Sequence, residues 1–258
     1  YGRRETSGKP CTHAVGAYFE SLHDTPHDRV SDLECRGGAF RRQAKCRVPN
    51  GMNSKPSTTP VGRRPCAGVV LAGGLNSRFG GREKALVSLA GMAMIDHIVR
   101  AFDDLFDEIL IVSNQPHNYV DRDATIVSDL VDARSSLTGI HTALFYSHCD
   151  DVFICACDTP LLKTALIASL LDARQPGIDV VVPHTAAGLE PLCAVYARRC
   201  LEPVENRLKR GDYRIRRFFD RVRVKQVSDK RLRRFDPELL SFKNINTPED
   251  LAEAAQWI

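Results

Sequence analysis

No uninterrupted apolar stretch in the 258 residues approaches the roughly 20 needed to span a bilayer, and the first residues lack the apolar core of a signal peptide. A membrane span and a secretory leader are therefore not expected, and the cytoplasm is the expected compartment. Cys11, His13, Cys35 and Cys46 show no C-x-x-C or H-x-x-x-H spacing among them, so they do not read as a metal site. The nine cysteines are an odd number, and Cys155, Cys157 and Cys193 lie in apolar, strand-like runs where a thiol behaves as a small hydrophobe. A disulfide framework is not expected. Late in the chain, Arg207, Lys209, Arg210, Arg214, Arg216, Arg217, Arg221, Arg223 and Lys225 crowd together, but no nucleic-acid motif accompanies them, and Phe218-Phe219 reads as core.

The first 65 residues have no sustained apolar periodicity and are rich in polar residues, with scattered Gly, Pro, Ser and Thr. Residues 1–65 read as a disordered or non-native extension. The chain opens at Tyr1, whereas Met52 stands fifteen residues before Ala67, a natural distance for a start. Residues 66–258 are expected to form the folded domain, and the 43% hydrophobic content allows a substantial core.

What is present is concentrated in AGVVLAGGLNSRFGGREKAL, residues 67–86. Ala67 to Ala72 is a short run rich in branched apolar residues, a buried-strand pattern. Gly73 and Gly74 end it where the backbone must bend and approach a ligand. Peptide N–H groups in such a turn can point at phosphate oxygens, Arg78 offers a planar fork, and Lys84 adds a mobile point charge. The P-loop spacing G-x-x-x-x-G-K-[ST] fails, because Gly80 and Gly81 are followed by Arg82 and Glu83, and the dinucleotide fingerprint G-x-G-x-x-G fails as well.

The segment resembles the signature of the molybdenum cofactor guanylyltransferases, nucleotidyltransferases with a Rossmann-like fold, whose pattern is L-A-G-G, a few residues, R-[MF]-G-G, two residues and K. Leu71, Ala72, Gly73, Gly74, Arg78, Phe79, Gly80, Gly81 and Lys84 fall on it. The resemblance implies transfer of GMP from GTP to Mo-molybdopterin, with Mg²⁺ as cofactor. In the family, L-A-G-G accompanies guanine and L-A-A-G cytosine or other substrates, so Gly74 favours GTP over the alternatives, a CTP-using sister enzyme or a sugar-phosphate nucleotidyltransferase. A non-catalytic cofactor carrier is disfavoured by Arg78, Lys84 and Asp158 occurring together.

Beyond the loop, the chain alternates. Apolar spacing predicts a helix over Met94 to Phe106, a strand over Glu108 to Val112, and a short strand over Thr125 to Val127. There follow a helix over Thr138 to Tyr146, a strand over Asp151 to Cys157, a helix over Thr164 to Ala173, and strands over Asp179 to Val182 and Pro191 to Tyr196. Alternation of this kind implies a three-layer α/β/α fold with a mostly parallel sheet. The resemblance adds one antiparallel strand, Pro191 to Tyr196. In NINTPEDLAEA, Thr247 is the expected N-cap, with Pro248 at the first helical position and Glu249 and Asp250 in the first turn. The string closes many members of the family and is not expected to supply a catalytic group.

Ligands of parallel sheets bind beyond the carboxyl ends of the strands. That rule selects the Gly73 to Lys84 loop, Ser113 and Asn114, Asp129, and Asp158 in ICACDTPLL. Asn114 suits a base or ribose hydroxyl or a plain turn. Asp158, fixed by the Thr159-Pro160 turn, is the expected Mg²⁺ ligand, with capping of the next segment as its alternative role. The resemblance implies nucleotide contacts by Leu71, Ala72, Gly73, Gly74, Lys84, Asn114, Asp129 and Asp158, and catalytic roles for Arg78, Lys84 and Asp158. It also makes a phosphorylated pterin the expected partner of Arg214 and Arg217. Cofactor-biosynthesis proteins and recipient molybdoenzymes are implied as partners of a monomer or weak oligomer.

Overall fold

The computed structural model describes residues 64–73, 83–102 and 104–258. Its framework is an eight-stranded sheet. The strands are β1 (Cys66–Leu71), β4 (Glu108–Val112), β5 (Thr125–Val127), β6 (Asp151–Ala156), β7 (Val180–Thr185), β8 (Gly188–Leu189), β9 (Cys193–Ala197) and β10 (Val224–Ser228). They run in the order β10-β7-β9-β6-β1-β4-β5, with β8 paired to β7. A separate two-stranded hairpin, β2 (Ser88–Leu89) and β3 (Met92–Ala93), turns through Ala90 and Gly91, both at positive φ. Strands β6, β1, β4 and β5 are mutually parallel, whereas β9 is antiparallel to both β6 and β7. The antiparallel strand expected at Pro191 to Tyr196 is therefore present, as Cys193–Ala197.

Both faces of the sheet are buried, because side chains alternate along each strand. On one face Cys66, Val70, Ile111, Phe153 and Cys155 meet Ile95 and Ile98 of the helix Met94–Ala101 and Leu166, Ile167 and Leu170 of the helix Thr164–Asp172. On the other, Ala67, Val69, Leu110, Val152 and Ile154 meet Leu137, Ile140 and Leu144 of the helix Ser136–Tyr146 and Val204 and Leu208 of the helix Leu201–Lys209. This is the α/β/α arrangement. Phe218 is fully buried beside Tyr196, so it belongs to the core as expected.

One helix differs from its sequence pattern. The segment Met94 to Phe106 is helical only to Ala101, and Asp104 takes a left-handed φ of 57°. The apolar spacing persisted beyond the helix because Phe102 and Phe106 pack edge to face on each other and both lie against Phe153. They fill the space that Gly68 leaves on β1, where an added Cβ would come within 2.6 Å of Phe106 and 2.8 Å of Phe102. The Cys66, Cys149, Cys155, Cys157, Cys193 and Cys200 thiols are free and buried. Among the described residues no helix is long and apolar enough to cross a membrane.

Candidate active site

The carboxyl ends of β1, β4, β5, β6, β7 and β10 all point to one edge of the sheet, since β9 runs antiparallel to both β6 and β7, β8 runs antiparallel to β7, and the other pairings are parallel. Gly73, Ser113, Asp129 and Asp158 follow four of these ends. Leu71 and Ala72 are buried and tied by backbone, with Cys157 N–H donating to the Leu71 carbonyl at 3.1 Å and Ala72 N–H to the Val112 carbonyl at 2.9 Å. Their side chains face the core, which leaves backbone atoms to meet any ligand there. Gly73 is exposed and has open space around it. Gly74, Arg78, Phe79, Gly80 and Gly81 lie outside the described residues.

At the centre of the edge, Lys84 Nζ donates to Asp158 Oδ2 at 2.9 Å and to Asn246 Oδ1 at 2.8 Å. The second oxygen of Asp158, Oδ1, is buried and accepts no hydrogen bond among the described residues. Among the described residues Asp158 caps no helix: its backbone carbonyl accepts from Ile245 N–H at 2.8 Å, and the turn that contains it is closed by Thr159 Oγ1 on the Ala156 carbonyl at 3.0 Å. The capping alternative is thus replaced by a carboxylate with one oxygen on a lysine and the other uncommitted.

Asn246 is the residue that the sequence pattern left out. The NINTPEDL string does form the expected helix start, with a capping box between Thr247 and Asp250 and Pro248 in the first turn. Asp250 Oδ2 also accepts from Asn246 N–H at 2.8 Å, which fixes the residue beside the cap. Leu89, Met94, Leu161, Leu240, Ile245 and Ala254 form a small cluster that docks this segment at the site. The string therefore does more than start a helix: it brings the Asn246 side chain to Lys84. Two asparagines spaced just before a capping box were the available signal.

A second polar pair lies two and three strands from β6. Asn114 Nδ2 donates to Asp129 Oδ2 at 3.0 Å, and Asp129 N–H donates to Asn114 Oδ1 at 3.1 Å. This reciprocal bond joins the ends of β4 and β5, so Asn114 is more than a turn residue. Burial raises the Asp129 pKa above the usual carboxylate value, against hydrogen bonds from Asn114 and Thr142 that favour its anion. The loop between the two residues also reaches β1's loop: Asn118 Nδ2 donates to Glu83 Oε2, immediately before Lys84. Burial, followed by the nearby Glu83 carboxylate, holds the Tyr119 phenol protonated far above its ordinary range. Glu83 and Asn118 had no motif to announce them.

Arg214 and Arg217 sit elsewhere in the hydrogen-bond scheme. Both face Asp212, with Arg214 Nε at 3.1 Å and Arg217 Nε at 3.7 Å from its oxygens, and these guanidinium groups lower the Asp212 pKa. Among the described residues, neither hydrogen-bonds nor ion-pairs with Asp158. Their neighbour Arg216 is the one that reaches toward the carboxyl edge, donating to the Leu189 carbonyl at 2.9 Å.

A parallel-sheet edge with an exposed glycine after β1, a facing lysine and carboxylate at its centre, and a locked polar pair beside them defines an α/β protein built to hold a phosphorylated nucleotide. The model of the MobA-like NTP transferase domain matches residues 68–227, and the chain belongs to that family of nucleotidyltransferases. It is 46% identical over 187 residues to the molybdenum cofactor guanylyltransferase of Desulfosudis oleivorans, covering 72% of this chain and 93% of the relative. The corresponding enzyme of Vibrio cholerae is 31% identical over 186 residues, 72% of this chain and 89% of its own. The crystal structure of molybdopterin-guanine dinucleotide biosynthesis protein A from Archaeoglobus fulgidus superposes with a TM-score of 0.65 at 31% identity, over 74% of this chain and 97% of that one.

Proposed function

We propose that this chain transfers GMP from GTP to Mo-molybdopterin, forming the guanine dinucleotide cofactor and pyrophosphate. The observation that carries the reading is the Lys84–Asp158 pair at the centre of the carboxyl edge, in a chain whose relatives bear the name molybdenum cofactor guanylyltransferase. The terminal phosphate of molybdopterin is already a nucleophile. Its oxygen forms a bond to the α-phosphorus of GTP, the α–β phosphoanhydride bond breaks, and pyrophosphate carries away the electron pair. The protein need supply only alignment and charge neutralisation.

Lys84 would stabilise the charge that grows on the phosphoryl oxygens, oriented by Asp158 and Asn246. Arg78 and the N–H groups of Gly73 and Gly74 would cradle the triphosphate, and Asn114 and Asp129 would receive the nucleoside on the β4 and β5 side. Asp158 fits Mg²⁺: it presents one carboxylate oxygen without a partner among the described residues, and Mg²⁺ characteristically takes few protein carboxylates and completes its shell with phosphate and water. When bound there it would neutralise triphosphate charge.

The transferase unit is proposed to be residues 66–258, with residues 1–65 as an extension and the cytoplasm as its compartment. Pyrophosphate release with molybdopterin and either GTP or CTP tests the reading. A kcat/KM clearly higher for GTP is expected. Equal constants would leave a nucleotidyltransferase of another base preference, and no release with either would overturn the reading.

A further inference from the structure

The carboxyl edge continues past Asp158 to a pocket with no part in the site above. It lies between the β7–β8 hairpin and the segment after β10, has a volume of about 260 Å³, and is lined by Thr185, Glu190, Asp229, Arg233, Leu239, Phe242 and Lys243, among others. Such a volume suits one heteroaromatic ring system better than a whole nucleotide, since drug-sized sites run from about 300 Å³ upward. Its charges are unequal in their commitments. Arg233 is paired with Asp229 at 2.6 Å, and Lys243 with Glu253. Glu190 has no ion pair among the described residues; its Oε1 accepts one bond, from Thr185 Oγ1 at 3.0 Å. The hairpin holding Glu190 is fixed by Glu190 N–H on the Pro183 carbonyl at 3.0 Å and by Arg216 on the Leu189 carbonyl at 2.9 Å.

We infer that this pocket is the ring subsite of the acceptor, with the Glu190 carboxylate accepting hydrogen bonds from the adjacent N–H and amino donors of a 2-amino-4-oxopyrimidine edge. The inference rests on the guanylyltransferase reading for the identity of the acceptor. A carboxylate offers two acceptor oxygens side by side and no donor, the complement of that edge. Phe242 and Leu239 supply the apolar surface that a flat ring needs.

Guanine presents the same edge as a pterin, and placement decides between them. The nucleotide residues Gly73, Asn114 and Asp129 follow β1, β4 and β5, on one side of β6. The pocket follows β7 and β10, on the other side. Strand β7 is the second strand from β6, a separation of about 10 Å at ordinary strand spacing. A pterin ring seated there would send its side-chain phosphate toward Lys84 and Asp158 from the side opposite the nucleoside, the approach that in-line displacement requires.

The test uses the full chain and its Glu190→Gln variant, with molybdopterin and GTP each varied at saturating partner, and with fluorescent pterin-6-carboxylate as a direct binding probe. Loss of a charge-assisted bond predicts a rise of about ten- to a hundredfold in KM for molybdopterin, an unchanged KM for GTP, and weaker probe binding to a similar degree. A rise for GTP alone would assign the pocket to guanine and overturn the inference, as would unchanged constants for both substrates. Phe242→Ala serves as a second variant and is expected to weaken the probe while sparing GTP binding. If the unmutated chain fails to guanylylate molybdopterin, the functional reading falls; probe binding that depends on Glu190 would still support the ring subsite on its own.

Discussion

Lys84, at the start of a 3-10 helix, and Asp158, in the turn after β6, are 74 residues apart, yet they meet at 2.9 Å because β1 and β6 are parallel neighbours in the sheet. The ammonium group is held on two sides, by Asp158 and Asn246, so it points along the carboxyl edge without the substrate's help. Lys84→Ala removes this charge from the transition state, a loss on the order of 2 to 4 kcal/mol, or tens to several hundredfold in kcat. It also leaves the Asp158 carboxylate unpaired at a mostly buried position. A fall in melting temperature should therefore accompany the kinetic loss, and a variant with normal kcat would remove Lys84 from the chemistry.

Asp158→Asn separates charge from shape. The amide oxygen can still accept from Lys84, but the uncommitted second oxygen loses its anionic character. If that oxygen holds Mg²⁺, kcat should fall steeply, and raising the Mg²⁺ concentration should restore it only in part. Titration of activity against Mg²⁺ in both forms is the check. Identical Mg²⁺ dependence would mean that the ion is carried by the triphosphate alone.

Parallel topology was legible in the alternation of apolar runs, and the carboxyl-edge rule selected Lys84, Asp158, Asn114 and Asp129, which the fold joins in two hydrogen-bonded pairs, Lys84 with Asp158 and Asn114 with Asp129. What it could not show was pairing across distance. Asn246 joins Lys84 from 162 residues away, and Asn118 reaches Glu83 over 35, in each case through loops whose approach depends on the packed sheet. The premature end of the helix at Ala101 escaped for a related reason. Phe102 and Phe106 keep apolar spacing because they pack on Phe153, a tertiary demand that imitates a helical period.

Gly68 gives a test of that packing. Gly68→Ala would place a methyl group against the Phe102 and Phe106 rings at distances no unshifted core tolerates. Overpacking of this kind costs typically about 1 to 3 kcal/mol. The midpoint of denaturant unfolding should fall with little change in slope, and a midpoint equal to that of the unmutated chain would show that the rings move aside freely.

Truncation before Met52 addresses the proposed domain boundary. The matched domain begins at residue 68, and the first described contacts of the N-terminal segment are those of Arg64, which lies 3.6 Å from Asp151 and whose carbonyl accepts from Arg174 at 3.1 Å. A chain starting at Met52 retains these contacts and should keep its melting temperature and activity. Loss of either would assign residues 1–51 to the working enzyme.

Asp179, at the entry to β7, makes the fold's stability depend on pH in a defined direction. Burial by itself would raise its pKa, but the Arg223 backbone N–H at 2.6 Å, the hydrogen bond from Arg199 and the charges of both arginines more than offset it, and the result lies below the usual 3.8. Since the folded value is depressed, the stabilisation is fully present above the unfolded pKa and is lost as pH falls through the folded one. Asp179→Asn should therefore be less stable than the parent at neutral pH, because the amide keeps one acceptor but loses the charge that faces Arg199 and Arg223. The difference between the two should narrow as the pH drops below 3.8, where the parent's carboxylate begins to take up its proton. Unfolding midpoints for both forms across that range decide the matter: a difference that stays constant with pH would show that the carboxylate's charge contributes nothing, and that the hydrogen bonds alone hold β7 to the Arg223 segment.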